Sequence, residues 1–224
     1  MVELVITGDG SSSLLLTGKN EHYHSIHGAI QESQHVFIEA GLNHVFKQAN
    51  KQALRVLEIG FGTGLNAFLT YLFCKQHLGL HIDYVGLEPF PVAPDLIKAF
   101  NYPEQLQVPG EREKFEKLHA AIGIGLSDFG NGFWFEHKYC TLESLENIEP
   151  VDVIYFDAFS PVLQPALWEM DVFKKLRNWL HPNGVLVTYC AKGQVKRNLK
   201  AAGFTVTGIP GPPGKREMTR ASLY

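Results

Sequence analysis

The chain has 224 residues, 45% of them hydrophobic, and a formal net charge of −3 at pH 7, so residues 1–224 can form one α/β domain with a full core. No run of eighteen apolar residues predicts a membrane span, and residues 1–6 lack the features of a secretion signal. Three cysteines that never form C-x-x-C fit reduced thiols. A cytoplasmic protein without a membrane partner is therefore expected.

The first fifty residues predict an N-terminal extension, 1–50, that precedes the main sheet. Two apolar runs, residues 4–7 and 14–17, flank an Asp-Gly pair and predict a hairpin. Apolar residues at helical spacing then predict a helix over residues 29–48.

A glycine-rich turn is the most informative segment of the chain. Residues 55–64 read Arg-Val-Leu-Glu-Ile-Gly-Phe-Gly-Thr-Gly, which is a short apolar strand followed by three glycines and a helical stretch. Gly60, Gly62 and Gly64 would let a ligand approach bare backbone, but their spacing differs from the G-x-G-x-x-G of a dinucleotide site. The E-x-G-x-G-x-G form that begins at Glu58 resembles motif I of the S-adenosylmethionine-dependent methyltransferases.

A second acid follows the next predicted strand, residues 81–87. Glu88 lies twenty-four positions after Gly64, about the distance at which a second parallel strand delivers a carboxylate to ribose hydroxyls. A carboxylate would repel a ribose 2′-phosphate, so an unphosphorylated adenosine derivative is expected. The alternative is that Glu88 only caps the segment that begins at Pro89.

The later part of the chain alternates strands and helices, which predicts a doubly wound, mostly parallel, Rossmann-like sheet with its ligand at the carboxyl ends of the strands. Residues 89–130 are predicted to be a helical insertion, with a helical stretch over about 93–126. The remaining strands are predicted over 133–139, 151–156, 185–189 and 204–209, and helices over 166–180 and 194–202.

Chemistry is expected where the predicted strand 151–156 ends and the segment Asp-Ala-Phe-Ser-Pro begins. An amine that accepts a methyl group must be neutral, in line with the departing sulfur, and must lose a proton. Asp157 can accept hydrogen bonds from such an amine, and Phe159 can provide a wall for a flat base. Asp157 could instead cap the next helix.

Positive charge is concentrated in the last 39 residues, where seven Lys or Arg residues are opposed by Glu217 alone. The rest of the chain is correspondingly acidic. This basic end could contact phosphates. Lys192, Lys196, Arg197 and Lys200 could also be a solvated face of one helix.

Several motifs occur in a fixed order along nearly the whole chain. They are Tyr23-His24-Ser25 with Gly28, Glu32-Ser33 and Val36-Phe37, the glycine motif at 57–66, Asp-Ala-Phe-Ser-Pro at 157–161 with Pro165 and Trp168, Arg197 in Val-Lys-Arg-Asn-Leu, and Lys215-Arg216-Glu217-Met218. This set resembles the methyltransferase domain of the tRNA 5-methylaminomethyl-2-thiouridine biosynthesis enzymes.

The resemblance implies a class I methyltransferase fold and transfer of methyl from S-adenosylmethionine to the aminomethyl group of uridine 34 in tRNA. Asp157 would be catalytic. The cofactor would be bound by Glu58, Gly60, Phe61, Gly62, Gly64, Asn66, Glu88, Thr141 and Asp157. The substrate would be bound by Tyr23, Ser25, Phe159, Lys192, Lys196, Arg197, Lys215 and Arg216.

The sequence departs from this family at one position, and two other functions stay open. Cys140-Thr141 stands where many relatives carry Gly-Asp, although the Thr141 hydroxyl can still bond an adenine amino group. In the bifunctional members an FAD-dependent oxidase domain follows, and this chain, which ends at Tyr224, is expected to be a stand-alone form. The alternatives are an aminopropyltransferase like spermidine synthase and a non-catalytic tRNA-binding module.

No metal is expected. The three histidines His22, His24 and His27 match no zinc motif, and the resembling family uses no metal.

Overall fold

The fold was analysed in a computed structural model, which describes residues 2–49, 51–146 and 148–223, with the backbone alone at Ala49. The predicted N-terminal hairpin is confirmed: β1 pairs antiparallel with β2, and Val2 lies opposite Leu16. A short third strand pairs with β2. The strands of this small sheet are β1 (Val2–Ile6), β2 (Ser12–Leu16) and β3 (Glu21–His22).

The predicted helix over 29–48 is present, but its middle has the wider π winding. It runs as α1 (Ala29–Ser33), a π-helix (Gln34–Asn43) and α2 (His44–Ala49). At Gly41 this helix lies so close to the main sheet that a Cβ atom there would be only 2.9 Å from Val187 Cγ2. The extension is therefore part of the same packed structure as the sheet.

Within the described part of the chain, the main sheet has eight strands in the order β10-β11-β9-β8-β4-β5-β7-β6. The five central strands are parallel, and the order reverses between β4 and β8. The predicted doubly wound architecture is confirmed. The strands are β4 (Ala53–Ile59), β5 (His81–Leu87), β6 (Ser127–Asp128), β7 (Phe133–Lys138), β8 (Val151–Phe156), β9 (Leu180–Thr188), β10 (Thr205–Pro210) and β11 (Glu217–Ser222).

Helices cover both faces of this sheet and bury its largely apolar central strands. None of the described helices has the length and apolar character to cross a bilayer. The helices are α3 (Leu65–Gln76), α4 (Pro94–Ala99), α5 (Tyr102–Gln105), α6 (Arg112–Ala120), α7 (Met170–Trp179) and α8 (Gly193–Ala201), with 3-10 helices at Pro109–Glu111 and Pro165–Trp168.

The insertion between β5 and β7 is less regular than the continuous helix predicted over 93–126. Three prolines, Pro94, Pro103 and Pro109, each lie in the first turn of a short helix. Proline is accommodated in the first turn of a helix but not in its interior, so these residues favour several short helices over one continuous helix. The last helix of the insertion ends at Ala120, six residues before the predicted end at about residue 126.

A strand was missed at the end of the chain. The sequence pattern predicts no strand after residue 209, but residues 217–222 form β11, which inserts antiparallel between β9 and β10. Met218 and Ala221 of this strand are fully buried, whereas Arg220 is only half-buried. Glu217 and Arg220, which lie within the strand, interrupt its short apolar pattern in the sequence.

Candidate active site

A cavity of about 800 Å³ opens at the carboxyl ends of β4, β5 and β8. It lies where the strand order reverses, which is the position at which doubly wound sheets bind their ligands. Turns after these strands, the segment before α1 and the loop between β10 and β11 form its walls. The lining includes Tyr23, Ser25, Glu32, Gly60, Phe61, Gly62, Asn66, Glu88, Thr141, Asp157, Phe159, Tyr189 and Lys215.

The glycine turn after β4 presents bare backbone to the cavity. Gly60 has φ of +90°, and a Cβ atom there would lie 2.6 Å from the backbone oxygen of Asp157. Gly62 also has a positive φ, and Tyr23 already lies 3.3 Å from the place of its missing Cβ. A side chain at either position would fill the turn, so both glycines keep the cavity open.

Glu88 organises the same turn from the neighbouring strand. One carboxylate oxygen accepts a hydrogen bond of 2.9 Å from the backbone nitrogen of Gly62, and the other accepts one of 2.8 Å from Phe90. Burial raises the pKa of Glu88, while these two donors oppose the rise. A carboxylate has about four acceptor positions, so two stay available for hydroxyl groups in the cavity.

Asn66 connects two carboxyl groups, one fully buried and one facing the cavity. Its Nδ2 lies 2.8 Å from Glu58 Oε1 and 2.9 Å from Asp157 Oδ2. The second oxygen of Glu58 accepts a bond of 2.7 Å from the hydroxyl of Tyr84. Burial raises the pKa of Glu58 well above its usual value. This arrangement fixes the Asn66 side chain at the start of α3, in front of Glu58.

Two residues predicted to bind the cofactor do not line the cavity. Glu58 is fully buried behind Asn66, so it can affect a ligand only through the Asn66 side chain. Gly64 lies directly before α3 with φ of +73°, a conformation that glycine adopts readily and that connects the turn to the helix. Both act on the shape of the site.

Asp157 lies at the end of β8 and faces the cavity. Burial raises the pKa of Asp157 to about 8, and the nearby charge of Glu32 adds to the rise. The hydrogen bond from Asn66 and the charge of Lys215 oppose it. The carboxyl group can therefore exchange a proton near neutral pH, as a general base for an amine must.

Two aromatic rings form a wall beside Asp157. Tyr23 and Phe159 meet edge to face, with ring centres 4.9 Å apart. The Phe159 backbone is held on both sides, since its nitrogen donates to Gln164 and its oxygen accepts from Trp168. The two rings thus form one fixed side of the cavity, and their role as a wall for a flat base stays a prediction.

Thr141 lies on the exposed rim of the cavity after β7. Its hydroxyl oxygen accepts a bond of 3.3 Å from the backbone nitrogen of Ser144. The hydroxyl keeps hydrogen-bonding capacity for a ligand, so the adenine-binding role of Thr141 stays a prediction.

The basic residues predicted to bind tRNA fall into two groups. Lys192, Arg197 and Arg216 are exposed and lie outside the cavity lining. Lys196 also lies outside it and forms an ion pair of 2.6 Å with Glu217. Lys215, by contrast, extends into the cavity.

Sequence reasoning missed two residues beside Lys215. Its Nζ lies 2.5 Å from Glu32 Oε1 and 4.3 Å from the centre of the Tyr189 ring. Glu32 also accepts a bond of 2.6 Å from the backbone nitrogen of Ser25. The signal available in the sequence was the position of Glu32, three residues after Ala29 on the same face of the predicted helix. Both residues are buried in the structure.

The cavity fits S-adenosylmethionine. Asn66 Oδ1 is buried and has no hydrogen-bond partner among the described residues, so it can accept a bond from the amino group of the methionine part. Glu88 has acceptor positions for the ribose, and the bare turn of Gly60 and Gly62 admits the ligand backbone. No group of three or more His, Cys, Asp or Glu side chains within residues 2–49, 51–146 and 148–223 is placed to hold a metal ion.

Comparisons with known proteins show which proteins this chain is similar to. Residues 130–224 match the model of a family described as S-adenosyl-L-methionine-dependent methyltransferase. The tRNA 5-methylaminomethyl-2-thiouridine biosynthesis bifunctional protein MnmC of Pseudomonas putida (strain W619) is 30% identical over 88% of this chain and 31% of its own length. The protein of the same name from Pseudoalteromonas atlantica is 28% identical over 96% of this chain and 32% of its own length. The chain thus spans about a third of these curated relatives.

Solved structures show the same fold. The crystal structure of MNMC2 from Aquifex aeolicus has a TM-score of 0.75 and 26% identity, and the match covers 100% of this chain and 70% of that one. Spermidine synthase from Thermotoga maritima has a TM-score of 0.52 and 14% identity, over 94% of this chain and 64% of that one, which is a likeness of fold alone. Together the matches confirm the resemblance and the class I fold.

Proposed function

We propose that this chain transfers a methyl group from S-adenosylmethionine to the amine of 5-aminomethyl-uridine, with or without 2-thiolation, at wobble position 34 of tRNA. The observation that carries the proposal is the cavity in which the cofactor-type turn of Gly60 and Gly62 and the carboxyl group of Asp157 face one space. The names of the relatives support the tRNA substrate.

The residues of the cavity divide the work between cofactor and acceptor. Bound S-adenosylmethionine supplies a methyl group on a sulfonium, and after the transfer the sulfur leaves as a neutral thioether. Glu88 accepts hydrogen bonds from the ribose, and Asn66 Oδ1 accepts one from the methionine amino group. Asp157 accepts the proton that the acceptor amine loses, while Tyr23 and Phe159 form a wall beside the uracil ring.

Methyl transfer to defined RNAs tests the proposal. Purified protein with S-adenosylmethionine should methylate an anticodon stem-loop that carries 5-aminomethyl-uridine, and should leave the same stem-loop with 5-methyl-uridine unchanged. Mass spectrometry of the digested nucleosides detects the product. Putrescine with decarboxylated S-adenosylmethionine is the control for an aminopropyltransferase. Transfer to putrescine alone, or cofactor binding without turnover on any RNA, would contradict the proposal.

The exposed basic residues give a second prediction, on RNA affinity. We expect the double variant Lys192→Ala/Arg216→Ala to bind the stem-loop more weakly. The slope of log affinity against log salt concentration should become shallower by about one to two units, because fewer phosphate contacts form and fewer counterions are released. Fluorescence anisotropy at several salt concentrations measures this slope.

A matched control for this pair is Lys47→Ala/Lys98→Ala, which removes the same charge from two exposed lysines outside the cavity lining. Its slope should equal that of the wild-type protein. Equal slopes for both double variants would instead assign Lys192 and Arg216 to solvated surface.

A further inference from the structure

The ion pair between Glu32 and Lys215 lies inside the cavity that holds Asp157. The side chain of Glu32 is 7% exposed, and that of Lys215 is 32% exposed. Glu32 is anchored by helix α1 and by the backbone nitrogen of Ser25. Lys215 belongs to the loop between β10 and β11, so it can leave the carboxylate at a lower structural cost than Glu32 can.

The surroundings of Lys215 Nζ form a site for a primary ammonium group. One oxygen of Glu32 accepts its hydrogen bond, and the Tyr189 ring lies 4.3 Å from it. A carboxylate together with an aromatic face is a favourable environment for such a cation. Tyr189 is itself held by a hydrogen bond of 3.0 Å from its hydroxyl to the Ala158 oxygen.

The aminomethyl group of the proposed acceptor is also a primary ammonium in water. It has the same charge and the same donors as Lys215 Nζ, and it must reach Asp157, which lines the same cavity. A buried Glu32 without a cation would be costly. An incoming ammonium can therefore replace that of Lys215 without leaving the carboxylate unpaired.

We propose that Glu32 and Tyr189 form the subsite that receives the acceptor ammonium, and that Lys215 is its resident counter-ion, which the substrate displaces. This inference rests on the proposed function and assigns the part of the site that recognises the amine. Glu32 then holds the amine beside Asp157, which takes its proton. The released Lys215 side chain, already a third exposed, moves toward solvent.

Binding of two stem-loops separates this role from general effects on RNA affinity. One carries 5-aminomethyl-uridine and the other 5-methyl-uridine, and both are titrated into protein saturated with S-adenosylhomocysteine. The ratio of the two affinities measures recognition of the amine alone. We expect Glu32→Gln to lower this ratio by about 10-fold, since a hydrogen-bonded charge pair is lost.

Lys215→Met should change the ratio in the opposite direction, raising it by about 3- to 10-fold, because the competing cation is gone. Lys215→Arg is the matched control: it retains a cation that pairs with Glu32, and its ratio should stay close to the wild-type value. Thermal unfolding identifies any variant that does not fold. If Glu32→Gln does not fold, the comparison of Lys215→Met with Lys215→Arg decides alone.

Equal loss of affinity for both stem-loops in Glu32→Gln, or a lowered ratio in Lys215→Met, would overturn the subsite, because the ion pair would then be structural. Failure of the proposed function has a different signature. In that case the wild-type protein would not distinguish the two stem-loops and would methylate neither.

Discussion

Replacing Asp157 with asparagine should lower the methyl-transfer rate by about 10²–10⁴-fold at neutral pH, the usual contribution of a positioned acid or base. Asparagine keeps the shape of the side chain and one acceptor oxygen, but it cannot take up the proton that the amine must lose. The remaining rate should recover partly as rising pH deprotonates the free amine. Single-turnover kinetics with saturating cofactor and the aminomethyl stem-loop measure this effect.

Cofactor affinity is the first control for the Asp157→Asn variant. The hydrogen bond from Asn66 can still be accepted by the amide oxygen, so S-adenosylmethionine should bind with little change. Near-normal turnover would show that Asp157 only terminates β8 and that the acceptor chemistry lies elsewhere.

Thermal unfolding is the second control, and its pH dependence has a definite sign. The pKa of Asp157 is raised from 3.8 to about 8 by burial, so the folded state binds this proton more tightly than the unfolded state. The stabilisation is complete below about pH 4 and is lost as the pH rises to about 8. The asparagine variant has no such loss. Without ligand, it should therefore gain stability relative to the wild-type protein over this range.

The positions of Gly60, Glu88 and Asp157 could be predicted from sequence, because parallel strands deliver the residues after their carboxyl ends to one edge of the sheet. Only the local strand pattern and the distance along the chain were needed. The structure brings all three to one cavity. The sequence was therefore sufficient for those parts of the site that depend on topology alone.

The acceptor half of the cavity depends on contacts between distant segments, and sequence could not supply them. Glu32 and Lys215 are separated by 183 positions, yet they form a 2.5 Å contact. Lys215 reaches the cavity because β11 inserts between β9 and β10, and the sequence pattern did not predict this strand. Glu58 was placed in the site by its motif, whereas only the folded structure shows Asn66 in front of it.

Removal of the Glu88 carboxylate should weaken cofactor binding strongly. We expect Glu88→Ala to lower the affinity for S-adenosylmethionine by about 1.5–3 kcal/mol, roughly 10- to 150-fold, which is the scale for losing hydrogen bonds to a charged partner. Isothermal titration calorimetry measures this loss, and NAD, which should not bind the wild-type protein, is the control for cofactor selectivity.

Glu88 also bonds the backbone of Gly62 and Phe90, so a weaker affinity alone would not separate contact with the ribose from support of the turn. A 2′-deoxy analogue of S-adenosylhomocysteine makes this distinction, since it lacks one hydroxyl that the carboxylate can hold. The wild-type protein should bind the analogue more weakly than S-adenosylhomocysteine, whereas Glu88→Ala should bind the two nearly equally. If the variant still discriminates between them by the wild-type factor, Glu88 supports the turn and the ribose is held by other groups.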